Sequence, residues 1–187
     1  DLSDWLARPR MVEGFRTLPG IFSADGPDRG SVLLAGALPT KLSGKVADLG
    51  AGWGYLSRAI LERTGVKRLD LVEAEADALD CARVNISDPR ARFHWADAAT
   101  WKPDSLLDAV VMNPPFHVGR ESDPDLGAAF IRAARRILAP NGGLWLVANR
   151  HLPYDAALAE HFLLHEEVAG DGGFRVIHAT KPKRAKP

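Results

Sequence analysis

From Lys45 to Ala179 one local pattern keeps returning: a short apolar run, a turn, then apolar residues at helical spacing. Runs of this length suit strands, and the spacing between them suits amphipathic helices, so the chain is built for strand–helix crossovers. Strands are expected over 46–49, 68–73, 91–95, 107–112, 144–148, 165–169 and 174–179. Helices are expected over 55–64, 76–86, 124–138 and 154–162, with Pro140-Asn141-Gly142-Gly143 ending the third of these. Parallel strands joined by helical crossovers must be covered on both faces. The expected fold is therefore α/β: a seven-stranded, mostly parallel sheet with helices on both faces and a C-terminal antiparallel hairpin around Gly170-Asp171-Gly172-Gly173.

Ahead of this repeat the chain is less regular. Residues 1–14 show no sustained period and read as an N-terminal arm or linker. Leu18-Pro19-Gly20-Ile21-Phe22 places a Pro-Gly turn between apolar pairs, and Asp28 or Ser31 can cap a helix that Pro39 ends. The domain is expected over 15–180, followed by a basic, mobile tail at 181–187.

At 187 residues one core of ordinary size is expected. Lysine plus arginine equals aspartate plus glutamate at 24 each, so the body as a whole is not a basic nucleic-acid binder and any such grip must be local or supplied elsewhere. A lone cysteine, Cys81, points to a core thiol in a reducing cytoplasm. No run is long enough to span a membrane and no secretory signal is visible. A chain starting at Asp1 is expected to be processed or a piece of something longer.

The first chemical motif is Asp48-Leu49-Gly50-Ala51-Gly52-Trp53-Gly54, at the end of the first strand of the repeat. Glycines there let the backbone turn sharply and come close to a ligand in the crevice beyond the strands' carboxyl ends. The spacing Gly50, Gly52, Gly54 differs from the Gly-x-Gly-x-x-Gly of pyrophosphate-binding dinucleotide folds. Glu73, ending the second strand, can accept both hydroxyls of a ribose; Asp97, past the third, can meet an adenine amino group; Asp48 can hold a cationic amine directly or through water. Together they describe S-adenosylmethionine better than a nicotinamide dinucleotide.

The second is Asn113-Pro114-Pro115-Phe116, at the end of the apolar run 107–112. Two prolines lack amide hydrogens and fix their own φ, and the first bars Asn113 from helical conformation, so the corner is stiff with free acceptors. The Asn113 amide oxygen and the Pro114 carbonyl can each accept one hydrogen of an exocyclic amine while Phe116 stacks on the base. No metal is required.

With both motifs in view, the chain resembles the class I S-adenosylmethionine-dependent methyltransferases, with their Rossmann-like fold. Within them it is most similar to the catalytic domain of ribosomal RNA guanine-N2 methyltransferases of the small-subunit methyltransferase C and large-subunit methyltransferase G type. Leu18-Pro19-Gly20-Ile21-Phe22-Ser23, Gly26-Pro27-Asp28-Arg29-Gly30-Ser31 and Val147-Ala148-Asn149-Arg150-His151-Leu152-Pro153-Tyr154 carry the resemblance beyond the two motifs. It implies methyl transfer to guanine N2 in ribosomal RNA or a ribosomal subunit. A related chemistry serves adenine N6 and glutamine amides, and a non-catalytic cofactor- or RNA-binding module is the alternative from another class. Arg16, Arg29, Arg120 and Arg150, on expected loops, are candidate phosphate contacts, and His117 is a candidate structural or RNA-contact residue, or else a proton acceptor. In full-length members a degenerate domain precedes the catalytic one and helps hold RNA; at most fourteen residues precede Phe15 here. Trp53 stands where relatives often carry a small residue, and a ring there would reshape the methionine end of the cofactor site.

Overall fold

A computed structural model describes residues 6, 8–115, 117–118 and 121–184. The expectations placed on Phe116 and Arg120, on most of residues 1–7 and on 185–187 lie outside the described residues. The chain opens with a hairpin of β1 (Arg10–Val12) and β2 (Phe15–Thr17), then α1 (Arg29–Ala37), β3 (Lys41–Leu49), α2 (Tyr55–Leu61), β4 (Thr64–Glu73), α3 (Ala76–Asn85), β5 (Ala91–Trp95) and β6 (Leu107–Met112). A short ladder of β7 (His117–Val118) and β8 (Glu121–Ser122) precedes α4 (Pro124–Ile137), β9 (Leu138–Asn149), α5 (Asp155–His161), β10 (Phe162–Gly170) and β11 (Phe174–Pro182).

Seven strands form the main sheet in the order β10-β11-β9-β6-β3-β4-β5. β9, β6, β3, β4 and β5 are mutually parallel, and β11 runs antiparallel between β9 and β10. The expected sheet and closing hairpin are thus present. Strand direction out of β3 splits, β4 on one side and β6 on the other, which opens a crevice at their carboxyl ends. Alternation along β3 sends Ala47 and Leu49 to a core shared with Phe130, Ile131 and Ile137 of α4 and Leu158 of α5. Val46 faces the opposite core, with Leu34 of α1, Leu56 and Ile60 of α2 and Ala82 of α3. Both faces are therefore helix-covered, as parallel strands require.

Several boundaries differ from expectation. The 10–12 stretch, within the expected arm, pairs with 15–17 because Glu13 and Gly14 both adopt positive φ (48° and 80°), matching the twist of a two-residue hairpin. Thr64 and Val66 join β4, where they pair with Lys41 and Gly44, instead of prolonging α2. Pro140-Asn141-Gly142-Gly143 ends α4 but does not interrupt the following strand. It forms a bulge, over which the partners of β6 step from Leu107↔Leu138 to Ala109↔Gly143. The tail is not free from 181 onward: Pro182 pairs with Phe162, and Lys183 donates its amide to the His161 carbonyl at 2.9 Å.

A third small core joins the front of the chain to the glycine loop. Phe15, Ile21, Trp53, Ala78 and Cys81 are buried together. The Trp53 ring lies 4.8 Å from that of Phe15, its indole N–H donates to the Ser23 carbonyl, and the Asn85 amide bridges the Trp53 and Arg16 carbonyls.

Candidate active site

The register of β3 and β6 builds the site. Leu49 is level with Met112, so the glycine loop leaving β3 and the Asn-Pro-Pro corner leaving β6 emerge side by side. A cavity of about 450 Å³ opens there, walled by Gly50, Gly52, Glu73, Asp97, Asn113, Pro114 and Pro115, with Val72, Ala78, Ala98 and Phe130 as its apolar lining. A smaller hollow of about 60 Å³ adjoins it beneath Phe22, bordered by Asp28, Ser31, Trp53 and Asn113. Volume and lining match a site for a mid-sized polar ligand. A wider hollow of about 600 Å³ lies at the amino ends of the strands, lined by Lys41, Asp108, Asn141 and His178 and remote from both motifs.

The glycine loop is held from behind. The amides of Gly50 and Ala51 both donate to the Val72 carbonyl, at 2.8 and 3.0 Å. Gly50, Gly52 and Gly54 have φ of 76°, 57° and 104°, where only glycine is unstrained, and a Cβ on Gly52 would project into open space. Glu73 accepts from the Gly52 amide through Oε1 (2.9 Å) and from the Glu75 amide through Oε2 (2.8 Å). Both oxygens keep a second lone pair for the cavity. Asp97 caps the turn after β5, accepting from the Ala99 amide at 2.9 Å, and also lines the cavity.

Asp48 sits differently from Glu73 and Asp97. It is fully buried, lines neither compartment, and accepts from the Ser57 hydroxyl at 2.7 Å through Oδ2. Its Oδ1 has no partner among the described residues. Burial, opposed by the Ser57 hydrogen bond and reinforced by the nearby Glu73 charge, raises its pKa to about 7. A direct contact from Asp48 to a bound amine is therefore not what this arrangement offers; an influence through water or through space is.

Asn113 is oriented by residues far away in sequence. Its amide nitrogen donates to Asp28 Oδ2 at 2.8 Å and to Ser31 Oγ at 2.9 Å. Sequence reasoning saw Asp28 and Ser31 only as helix caps. Asp28 is the cap, accepting from the Ser31 amide, but the tie to Asn113 was visible only as an unexplained Asp-Arg-Gly-Ser segment among the resembling stretches. Phe22, two-thirds exposed on the lip of both compartments, was likewise not singled out as a site residue.

Arg29 and Arg150 do come together, but not on loops open to solvent alone. Arg29 opens α1, lies over the Phe174 ring and pairs with Asp171; Arg150 donates to the Asp171 and Phe174 carbonyls and pairs with Glu167. Arg16 belongs to β2 instead of a loop, its amide fixed by Asn85. The Trp53 ring is turned away into the third core, so it anchors the 15–25 segment and does not fill the large cavity.

The methyltransferase small domain model matches residues 13–178. The chain belongs to that family. It is 37% identical over 188 residues to ribosomal RNA small subunit methyltransferase C of Salmonella paratyphi B, covering 99% of this chain and 55% of that protein. The Klebsiella pneumoniae protein of the same name is 37% identical over 172 residues, covering 91% of this chain and 50% of that one. Among solved structures, a T. thermophilus 16S rRNA N2 methyltransferase in complex with AdoMet and guanosine superimposes with a TM-score of 0.75 at 28% identity, over 94% of this chain and 50% of that one. The chain spans about half the length of these relatives. The N-methyltransferase NodS of Bradyrhizobium japonicum, at 16% identity and a TM-score of 0.60, shares the fold alone. Among the described residues no helix is long and apolar enough to cross a membrane.

Proposed function

We propose that this methyltransferase domain transfers a methyl group from S-adenosylmethionine to the exocyclic N2 of a guanine in ribosomal RNA. The observation that carries the reading is that Asn113 and the glycine loop face one cavity, with the Asn113 amide turned so that its oxygen is the acceptor. Its relatives, a 16S rRNA N2 enzyme holding AdoMet and guanosine among them, favour guanine over adenine N6 or a glutamine amide.

The residues present fit the cofactor. Gly50 and Gly52 leave room for backbone approach, Glu73 has free lone pairs that would take the ribose hydroxyls, Asp97 would meet the adenine amine, and Val72, Ala78, Ala98 and Phe130 would wall a flat ring. When bound, S-adenosylmethionine supplies a methyl already made electrophilic by the sulfonium. The protein's part is alignment, and holding two reactants in line is worth on the order of 7–11 kcal/mol of barrier.

The Asn113 oxygen and the Pro114 carbonyl would take the two amine hydrogens, which pyramidalises the nitrogen and frees its lone pair. That nitrogen would supply the electron pair for the new bond to the methyl carbon, the thioether would leave with the pair of the bond it gives up, and the surplus proton would pass to water or to His117. The base must leave its helix to reach the corner, where Phe116 would stack on it. Arg29 and Arg150 would meet phosphate beside the corner, exchanging Asp171 and Glu167 for RNA, with Arg16 and Arg120 as further contacts. With no net charge on the chain, the reading gives part of the RNA grip to the remaining half that its relatives possess, in a cytoplasmic protein.

The test is methylation of purified ribosomal subunits, free ribosomal RNA and peptide release factor with methyl-labelled cofactor, followed by nucleoside digestion. N2-methylguanosine supports the reading. Label only in N6-methyladenosine or in protein would replace the acceptor, and no transfer to any of them, with cofactor still bound, would leave a binding module.

A further inference from the structure

Building on the amine-clamp reading of Asn113, we infer that Asp28, seconded by Ser31, is a positioning residue for methyl transfer: it sets which end of the Asn113 amide faces the acceptor amine and makes that end a stronger acceptor. The orientation follows from chemistry and not from a choice of atom labels. An ionised carboxylate only accepts, so the group 2.8 Å from Asp28 Oδ2 must be the Asn113 NH2. The second N–H goes to the Ser31 hydroxyl at 2.9 Å. Both donors of the amide are then used, and no hydrogen bond among the described residues ends on Asn113 Oδ1. Reversed, the amide would offer the cavity two N–H groups, which repel an amine that must donate, and would set its oxygen against a carboxylate.

The surroundings hold Asp28 to this task. The same Oδ2 caps α1 through the Ser31 amide at 3.1 Å, so the rigid start of the helix carries the clamp. Residue 30 must be small: a Cβ on Gly30 would stand 3.0 Å from Asp28 Oδ2 and 3.1 Å from the Phe174 ring. Ser31 is buried and Asn113 half-buried, so the bonds lie in a partly dry corner where a carboxylate polarises its partner more than it would in water. Density drawn toward Oδ1 strengthens the bond to an amine hydrogen, and that bond gains most as the nitrogen becomes positively charged on taking the methyl group. The benefit therefore falls on the transition state and should appear in kcat.

The test uses Asp28→Ala, Asp28→Asn and Ser31→Ala, read by kcat and KM on the RNA substrate, by calorimetry with S-adenosylhomocysteine, and by the Asn113 side-chain amide resonances. Asp28→Ala is expected to lower kcat by about 10²-fold, the loss seen when one preorganised polar contact is deleted from a site, with KM and cofactor affinity within about threefold of wild type. Asp28→Asn, whose carbonyl can still accept the N–H, should restore roughly tenfold of that loss. Ser31→Ala keeps the cap and should cost less than Asp28→Ala, yet in the same parameter. Wild-type kcat in a folded Asp28→Ala, or a loss confined to cofactor affinity or RNA KM, overturns the inference. Should Asp28→Ala fail to fold for want of its cap, an unchanged kcat in both Asp28→Asn and Ser31→Ala overturns it instead. The amide resonances separate this inference from the acceptor assignment. If wild type proves not to methylate guanine, loss of the two protected Asn113 N–H signals in Asp28→Ala still supports the clamp, and unchanged signals reject it.

Discussion

Leu49 and Met112 are level partners at the carboxyl ends of two adjacent parallel strands. That pairing sets a loop shaped for close backbone approach beside a corner shaped for rigid acceptors, and the cavity of about 450 Å³ between them is the consequence. Parallel pairing is what allows it, since antiparallel neighbours would send the two loops to opposite ends of the sheet.

Removing the acceptor should separate chemistry from binding. Asn113→Ala deletes the amide oxygen and leaves Glu73, Asp97 and the glycine loop in place, so kcat is expected to fall by roughly 10²-fold or more with S-adenosylhomocysteine affinity within a few-fold of wild type. Single-turnover transfer and calorimetry on the same sample check both halves. Full activity in the variant would remove Asn113 from the mechanism.

Glu73→Ala should do the converse. Hydrogen bonds to a charged acceptor contribute about 1.5–3 kcal/mol each, so losing both ribose contacts predicts cofactor binding weaker by roughly two to four orders of magnitude. The Gly52 and Glu75 amides also lose their partner, which loosens the loop. At saturating cofactor much of the transfer rate should return, and a titration of rate against cofactor concentration reads this directly.

Asp48 gives a pH signature. Its pKa rises from an ordinary 3.8 when unfolded to about 7 when folded, with burial the main cause. Between those values the native state keeps a proton the unfolded chain has released. The group's contribution to stability is therefore full below about pH 4 and is lost as pH rises through 7. Three units correspond to at most about 4 kcal/mol. Asp48→Asn should gain stability over wild type from about pH 4 to pH 7 in urea unfolding and level off above that, and a flat difference across this range would contradict the shift. If the bound cofactor's ammonium lies within reach of Asp48's charge, binding at pH 7 releases protons and tightens with pH. Calorimetry in buffers of different ionisation heat measures that release.

Trp53→Ala should act on stability and on the front of the chain. The ring is buried against Phe15 and Ile21 and its N–H holds the Ser23 carbonyl, so its loss is expected to cost about 3–5 kcal/mol. Because Phe22 and Asp28 lie on the segment it anchors, hydrogen exchange over 15–28 should rise before the sheet is affected. Unchanged protection there would mean the arm is held by other contacts.

The sequence by itself determined the strand–helix alternation of the main sheet from Lys45 onward, its seven strands and both chemical motifs, because periodicity, proline and glycine act on neighbours a few residues away. The placement of Glu73 and Asp97 on the crevice was legible for the same reason: one ends a strand and the other follows one whose carboxyl end must face it. Tertiary structure alone decided the rest. Asp28 and Asn113 are 85 residues apart, and only the packing of α1 against the β9–β11 side of the sheet brings a capping carboxylate to the amide. Whether the Trp53 ring reshapes the methionine end of the site was not legible, because its direction depends on the β1–β2 hairpin, whose short strands carry almost no periodic signal. Asp48 was open to direct or water-mediated contact with an amine because a strand's end does not reveal how deep its last polar side chain lies. Local chemistry fixes which groups are available, whereas their orientation, hydration and charge depend on neighbours brought in from elsewhere in the chain.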